Sequence, residues 1–385
     1  MTLPSTAFAA ASEHRVNTTL RRIVLVGGAR PNFMKVAPVF RALNQRSDAF
    51  RTTVVHTGQH YDDAMSSVFF EQLGLPEPDA YLNVGSGSHG AQTARVMIKF
   101  EEYLLAHSRP AGVVVVGDVN STAACALTAV KLGIPVAHVE AGLRSFDRTM
   151  PEEINRVVTD AIADLLLVGE PSGIENLKRE GVSDDRIRFI GNVMIDTLVH
   201  ELEAARALNL VSALGLSAGA FALVTLHRPS NVDEAERLGE IVDFLRDVCS
   251  HMTVLFPIHP RTRMRLEQFG LMQRLHASAV RVLEPLGYRE MLSLMEHAQV
   301  VLTDSGGVQE ETTFLGVPCV TLRENTERPI TVAEGTNTLV GRDLELARRL
   351  IDDVRRRRYK RGRPIAGWDG HAAPRAADAL VQSWK

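Results

Sequence analysis

Short apolar runs alternate with longer stretches of helical period along most of the chain. Ile23–Val26 is the first run. Gly27 and Gly28 close it and Pro31 opens a helical pattern, so strand, turn and helix are expected in that order. Thr52–Val55, Val113–Val116 and Pro135–Val139 predict further strands, with helices near Asp62–Leu73, Ala91–His107 and Ser121–Leu132 between them. Pro151 starts a helix that runs to about Ala163, and Leu165–Val168 and Arg186–Ile190 add two strands. These are short buried runs rather than half-polar ones, and helices separate them. Parallel sheets covered by helices on both faces are the expected result.

The segment from His200 to Ala220 interrupts the alternation. It is rich in Ala, Leu and Ser, holds Gly215 and Gly219, and is expected to cross between two domains. A second series follows, with strands over Ala222–Leu226, Val254–Pro257, Arg281–Leu283, Val300–Thr303 and Cys319–Leu322. Helices are expected over Asp233–Cys249, from Arg261, over Tyr288–His297, from Ser305–Gly307 and over Asp343–Arg356. The basic run Arg355–Arg358 suits the negative end of that last helix better than a nucleic-acid patch. Beyond the two-fold doubling, no repeat with a period of about 20–50 residues is present.

Length agrees with the doubling, since 385 residues exceed what one core serves. Hydrophobic residues make up 45% and charged residues 23%, ordinary values for a globular protein. A net charge of −3 offers no field for wrapping nucleic acid or gripping an anionic membrane, so an anionic ligand needs local groups. Cys125, Cys249 and Cys319 are far apart, which argues against a disulfide scaffold or a structural zinc and suits a reducing compartment. No apolar run approaches the roughly 20 residues that span a bilayer. The first twenty residues carry Glu13, His14 and Arg15 and lack a signal-peptide core. They are expected to be a loose extension of a cytoplasmic protein.

Ligands of doubly wound sheets bind beyond the carboxyl ends of the strands, and the unusual residues of this chain fall there. Val300–Thr303 leads into Asp304-Ser305-Gly306-Gly307-Val308-Gln309-Glu310-Glu311. The glycines let backbone approach a ligand, Ser305 can cap the helix, and free N–H groups at its start attract phosphate oxygens. Glu311, about a turn further on, can accept from two hydroxyls of a ribose. An ordinary Ser-capped helix is the competing reading. No Gly-Lys-Ser/Thr follows, so this is not a P-loop, and Gly27-Gly28-Ala29-Arg30 is not a GxGxxG. Arg30, at the end of the first strand, can make charge-assisted bonds to a diphosphate. Lys35, in the next turn, fits either that task or a solvated helix face.

Three carboxylates complete the pattern. Asp118 follows Val113–Gly117, Glu140 ends Val136–Val139, and Glu152 stands in the first turn of the helix opened by Pro151. Asp118 could instead cap a helix, and Glu152 and Glu153 could serve the helix dipole. Glu140 needs a partner, and Arg144 is the nearest one in the sequence. In the second half, His227 and Arg228 end one strand and His259 follows another, facing the same cleft. Several acids opposite a diphosphate site suit proton transfer at a weakly acidic sugar carbon together with departure of a phosphate.

Gly28-Ala29-Arg30-Pro31, Lys35, Gly117-Asp118, His138–Arg144, Pro151–Arg156, Gly191-Asn192, His227-Arg228, Thr303–Glu311 and Thr326-Glu327-Arg328-Pro329 occur in that order. Over residues 21 to 380 this set resembles the non-hydrolysing UDP-N-acetylglucosamine 2-epimerases. The resemblance implies a GT-B-type α/β fold of two Rossmann-like domains: an extension over 1–20, domains over 21–200 and 201–365, and a helix over 366–385 that returns to the first domain. It implies a homodimer that needs neither cofactor nor metal and works by anti elimination of UDP and re-addition through 2-acetamidoglucal. Asp118, Glu140, Glu152, His227 and Lys35 match the family's catalytic candidates, and Arg30, Ser305, Gly306, Gly307 and Glu311 its UDP contacts. Arg144, Arg228 and His259 are further substrate-binding candidates. Pro229-Ser230-Asn231 and Tyr61-Asp62 depart from the pattern of many bacterial members, in regions that resemble a regulatory UDP-sugar site. Four rival functions stay open: a hydrolysing epimerase, an epimerase of a 2,3-diacetamido uronic acid sugar, a GT-B glycosyltransferase, and a nucleotide-sugar sensor without catalysis.

Overall fold

A computed structural model of the chain describes residues 20–28, 30–58, 70 and 73–384, the side chains of Arg30 and Pro31 excepted. The expected contact through Arg30, the extension over 1–19, most of the helix near Asp62–Leu73 and the departure at Tyr61-Asp62 lie outside the described residues.

Seven parallel strands form the first sheet: β1 (Arg21–Gly27), β2 (Phe50–His56), β3 (Ala80–Tyr81), β4 (Gly112–Val116), β5 (Val136–Ala141), β6 (Leu165–Val168) and β7 (Ile187–Phe189), in the order β3-β2-β1-β4-β5-β6-β7. Six parallel strands form the second: β8 (Phe221–Thr225), β9 (Thr253–Pro257), β10 (Arg281–Leu283), β11 (Val300–Thr303), β12 (Cys319–Thr321) and β13 (Asn337–Leu339), in the order β10-β9-β8-β11-β12-β13. Strand order reverses between β1 and β4 and between β8 and β11, which opens a crevice at each point.

The apolar runs are buried on both faces, as two separate cores. In β4, Val114 and Val116 join the layer built from helices Arg30–Asn44, Val193–Ala207 and Ala372–Ser383. Val113 and Val115 join the opposite layer, built from helices His89–Ala106 and Asn120–Lys131. A strand sandwiched in this way has no solvent face, so its sequence shows no alternation.

Helix Ala372–Ser383 follows the second domain in the chain but packs on the first. Asp196 accepts from the backbone N–H groups of Ala372 and Ala373 at 3.0 and 2.7 Å. A Cβ at Gly112 would lie 2.5 Å from the Trp384 ring, so only glycine lets this end close. Helix Val193–Ala207 touches both halves. Thr197 Oγ1 donates to the Met34 carbonyl at 2.5 Å, while Leu198 and Ala205 pack with Leu292. The expected boundary between residues 200 and 201 thus falls inside a helix, and the chain crosses after it, through helix Leu210–Ala213. No described helix is long and apolar enough to cross a membrane.

Candidate active site

A cavity of about 460 Å³ lies between the carboxyl ends of the two sheets. From the first domain it is lined by Lys35 of helix Arg30–Asn44, Asp118 beyond β4 and Glu152 of helix Pro151–Ile162. From the second it is lined by His227 and Arg228 beyond β8, and by Ser305, Gly306, Gly307 and Glu311 beyond β11. Met34, Met194, Met291 and Met295 add an apolar wall.

Each acid on the first-domain wall has a local reason for its place. Asp118 does not cap helix Asn120–Lys131, whose cap residue is Val119. Its Oδ2 instead takes Arg156 Nη1 at 2.5 Å, and Arg156 Nη2 also reaches Glu153 at 2.7 Å. Glu153 accepts from the backbone N–H groups of Ser145 and Phe146, each at 2.9 Å, and so builds the preceding loop. Of this adjacent pair, only Glu152 faces the cavity.

Glu140 departs from expectation. The register of β5 against β6 shifts between Val139 and Ala141, and the Glu140 φ is 73°. Left-handed backbone at a non-glycine residue costs about 1–3 kcal/mol and persists only where its surroundings impose it. Its carboxylate does not line the main cavity. It borders a small void of about 10 Å³ with Glu170, Asn192 and Glu310. Lys35 Nζ bonds Oε2, and Arg328 Nη2 donates to Oε1 at 2.9 Å. Lys35 and Arg328 both line the main cavity, so Glu140 is joined to it through two cations.

The expected Glu140–Arg144 pair is not formed. Arg144 donates to Asp160 Oδ2 at 2.7 Å and to both oxygens of Glu180 at 2.8 and 2.6 Å, and it stays off the cavity wall. Helix Pro151–Ile162 carries Asp160 to the end of β5, where this nearer acid captures the guanidinium. Arg144 thus ties the end of β5 to Asp160 and Glu180. The His259 ring lies 5.3 Å from that of His227, behind the cavity-lining histidine. It stands off the cavity wall, and its Nδ1 accepts from Arg261 N at 3.2 Å to cap helix Pro260–Gln268.

Arg328, within Thr326-Glu327-Arg328-Pro329, gathers three carboxylates. Besides Glu140 it meets Glu327 at 2.8 Å and Glu310 at 2.7 Å, the latter as an ion pair too oblique for a hydrogen bond. Burial works to raise the Glu140 carboxyl, but Lys35 and Arg328 outweigh it and hold it below the usual range. Burial wins at Glu310, which lies above the usual range. It also pushes Glu170 up to about 7 against the bond from Ser172, with the Glu310 charge adding to the rise. Glu170 carries the signal used for Glu140, an acid just past an apolar strand, and was overlooked.

On the second-domain wall, Asp304 sets the geometry. It accepts from the backbone N–H groups of His227 at 3.0 Å and Arg228 at 2.9 Å, and lies 3.1 Å from His227 Nδ1. Burial opposes its charge, yet the His227 and backbone contacts keep its carboxyl below the usual range. Asn231, within the Pro229-Ser230-Asn231 departure, donates to Asp304 at 3.1 Å and to the Leu322 carbonyl at 2.9 Å. Ser305 occupies the cap position of helix Gly306–Leu315, but its hydroxyl makes no cap bond. The first-turn N–H groups are thus left for an anion. The buried Arg228 Nε has no hydrogen-bond partner among the described residues. Glu311 is buried beside Tyr288. Burial pushes its carboxyl up to about 7, with the Tyr288 phenol acting the other way.

The arrangement can hold a diphosphate on one wall and move protons on the other. A family model described as UDP-N-acetylglucosamine 2-epimerase matches residues 41–381. A UDP-N-acetylglucosamine 2-epimerase of Methanocaldococcus jannaschii is 45% identical over 330 residues, which cover 84% of this chain and 89% of that protein. A UDP-2,3-diacetamido-2,3-dideoxy-D-glucuronate 2-epimerase of Pseudomonas aeruginosa is 44% identical over 324 residues, covering 83% and 88%. The crystal structure of the M. jannaschii UDP-GlcNAc 2-epimerase in complex with UDP-GlcNAc and UDP matches with a TM-score of 0.85 at 41% identity, covering 94% of this chain and 100% of that one. The fold is GT-B-type, as the motif resemblance implied. By its motifs, its architecture and these matches, the chain belongs to the UDP-N-acetylglucosamine 2-epimerase family.

Proposed function

We propose that the chain interconverts UDP-N-acetylglucosamine and UDP-N-acetylmannosamine by elimination and re-addition of UDP. The observation that carries this reading is one cavity with Asp118, Glu152 and Lys35 on one wall and the uncapped start of helix Gly306–Leu315 on the other. The diphosphate lies on the N–H groups of Gly306 and Gly307, with Arg228 and His227 as further donors. The ribose hydroxyls donate to Glu311. A carboxylate removes the C2 proton, the C1–O bond breaks, and UDP leaves with the bonding pair to give 2-acetamidoglucal. UDP then adds back to C1 while a carboxylic acid protonates C2 from the other face. Asp118 and Glu152, the acids on the first-domain wall of the cavity, exchange these protons, and Glu140 acts through Lys35.

A second reading is supported by the Pseudomonas relative, whose identity nearly equals that of the Methanocaldococcus enzyme. There the sugar carries a 3-acetamido group and a carboxylate, and the C2 chemistry is the same. The homodimer stays with this proposal and is supported by exposed Ile98, Leu105, Ile154, Val157 and Val158 on helices of one layer. The cytoplasmic location stays with it too.

NMR of each UDP-sugar with enzyme in heavy water tests the reading. Deuterium entering C2, with the C2 epimer appearing and UDP retained, is the expected outcome. Free UDP accumulating in step with a free amino sugar would replace the proposal with a hydrolysing epimerase, and no C2 exchange with either sugar would end it.

A further inference from the structure

Glu140 keeps its left-handed backbone because one side chain holds both of its flanks. Two residues before it, His138 Nδ1 lies 2.6 Å from Asp160 Oδ1. Two residues after it, Gly142 N donates to Asp160 Oδ2 at 3.0 Å. Gly142 itself has a φ of +82°, and a Cβ there would lie 2.4 Å from the Gly173 carbonyl oxygen, so the chain cannot slide to relieve the bulge. The second ring nitrogen of His138, Nε2, is 2.8 Å from the carbonyl oxygen of Gly117, the residue before Asp118.

The donor and acceptor roles follow from chemistry. A carbonyl oxygen only accepts, so His138 Nε2 donates. Asp160 also takes Arg144 Nη1 at 2.7 Å, and an ionised carboxylate likewise only accepts, so His138 Nδ1 donates too. Burial opposes the Asp160 charge, but His138 and Arg144 hold the carboxyl below the usual range. The wholly buried His138 ring is thus a rigid brace from Asp160 to the ends of β4 and β5, the strands that present Asp118 and Glu140.

We propose that Asp160, acting through His138 and Gly142, is a positioning residue that holds Asp118 and Glu140 in the geometry of the proton-transfer step. The role rests on the epimerase reading above. Asp160 does not line the cavity, so it acts through these neighbours.

Asp160→Asn and Asp160→Ala in the full chain provide the test. The amide keeps the shape and one acceptor for Gly142 but sets an NH2 group or a weaker acceptor against His138, while alanine removes the whole bracket. The epimerisation rate, UDP affinity by calorimetry and thermal unfolding are measured for each. The expected result is a kcat lowered by about tenfold or more in Asp160→Asn and further in Asp160→Ala, with the UDP dissociation constant within about twofold of native. Native kcat in Asp160→Asn, or kcat and UDP affinity falling together, overturns the proposal. If Asp160→Ala does not fold, Asp160→Asn decides alone. Proton NMR supplies a readout independent of turnover. The native chain should show two downfield ring N–H signals that vanish in His138→Gln, and the Nδ1 signal should be lost or shifted in Asp160→Asn. One signal only in the native chain overturns the brace. Absence of C2 exchange in the native enzyme defeats the epimerase reading, whereas the ring signals still report on the brace.

Discussion

Arg328 and Glu140, 188 residues apart in sequence, meet at the end of β5 through a hydrogen bond of 2.9 Å. The bond ties the first sheet to a segment of the second domain. Because Arg328 also serves Glu310 and Glu327, one guanidinium compensates three buried carboxylates.

Removing that guanidinium leaves Glu310 without its ion pair, and leaves Glu140 and Glu327 with one cation each, Lys35 and Arg323. Arg328→Met should destabilise the fold by about 3–5 kcal/mol, the usual cost of breaking a buried ion pair from one side. Chemical denaturation of the variant beside the native chain checks this, and a loss under about 1 kcal/mol would contradict the network.

Asp118→Asn and Glu152→Gln should each slow deuterium entry at C2 by about 10²–10⁴, the range for loss of a general acid or base. UDP affinity, which depends on the opposite wall, should stay near native in calorimetry. A variant with native exchange removes that residue from the chemistry.

Glu311 gives two pH effects of opposite sign. In the proposed complex ribose hydroxyls donate to its ionised form, and burial pushes the carboxyl of the free protein up to about 7. Affinity for a UDP-sugar should therefore rise with pH up to about 7, by as much as about tenfold per pH unit below it, and level off above. Stability runs the other way. The folded value lies above the ordinary 4.5, so the contribution is complete below 4.5 and is lost as pH rises through about 7. Its size is about 3 kcal/mol. Glu311→Gln should flatten the affinity curve and reduce the slope of the stability curve, to which Glu170 still contributes, read by binding and unfolding titrations from pH 5 to 8.

Gly117 has a φ of +68°, and a Cβ there would lie 3.2 Å from Lys35 Nζ and 3.3 Å from Glu140 Oε2. Gly117→Ala should cost about 1–2 kcal/mol in backbone strain. By pushing Lys35 away from Glu140 it should also slow epimerisation by about tenfold or more. Thermal unfolding and turnover measured together check both effects.

Much of the fold was legible because its signals are local. Leu165–Val168, Arg281–Leu283 and Val300–Thr303 are strands with the bounds their apolar runs predict. Pro151 opens its helix, and Asp343 caps helix Leu344–Arg355 through Leu346 N at 2.7 Å. The strands Ala80–Tyr81 and Asn337–Leu339 are too short to show a period and went unseen. The passage through Leu210–Ala213 lies within the expected segment from His200 to Ala220, but a boundary at residue 200 falls inside helix Val193–Ala207, whose composition does not change there.

Local patterns along the chain were enough to show which residues end strands and start helices, and with that to bring Asp118, Glu152, His227, Ser305, Gly306, Gly307 and Glu311 to one cleft. They could not determine which charge meets which. Arg144, four residues from Glu140, turns to Asp160 and Glu180, while Lys35 and Arg328 come from 105 and 188 residues away. Those pairings arise only when the two domains fold and pack together. An ion pair depends on distances set by packing two sheets and their connecting helices, and at such short range those distances bear no relation to separation along the chain.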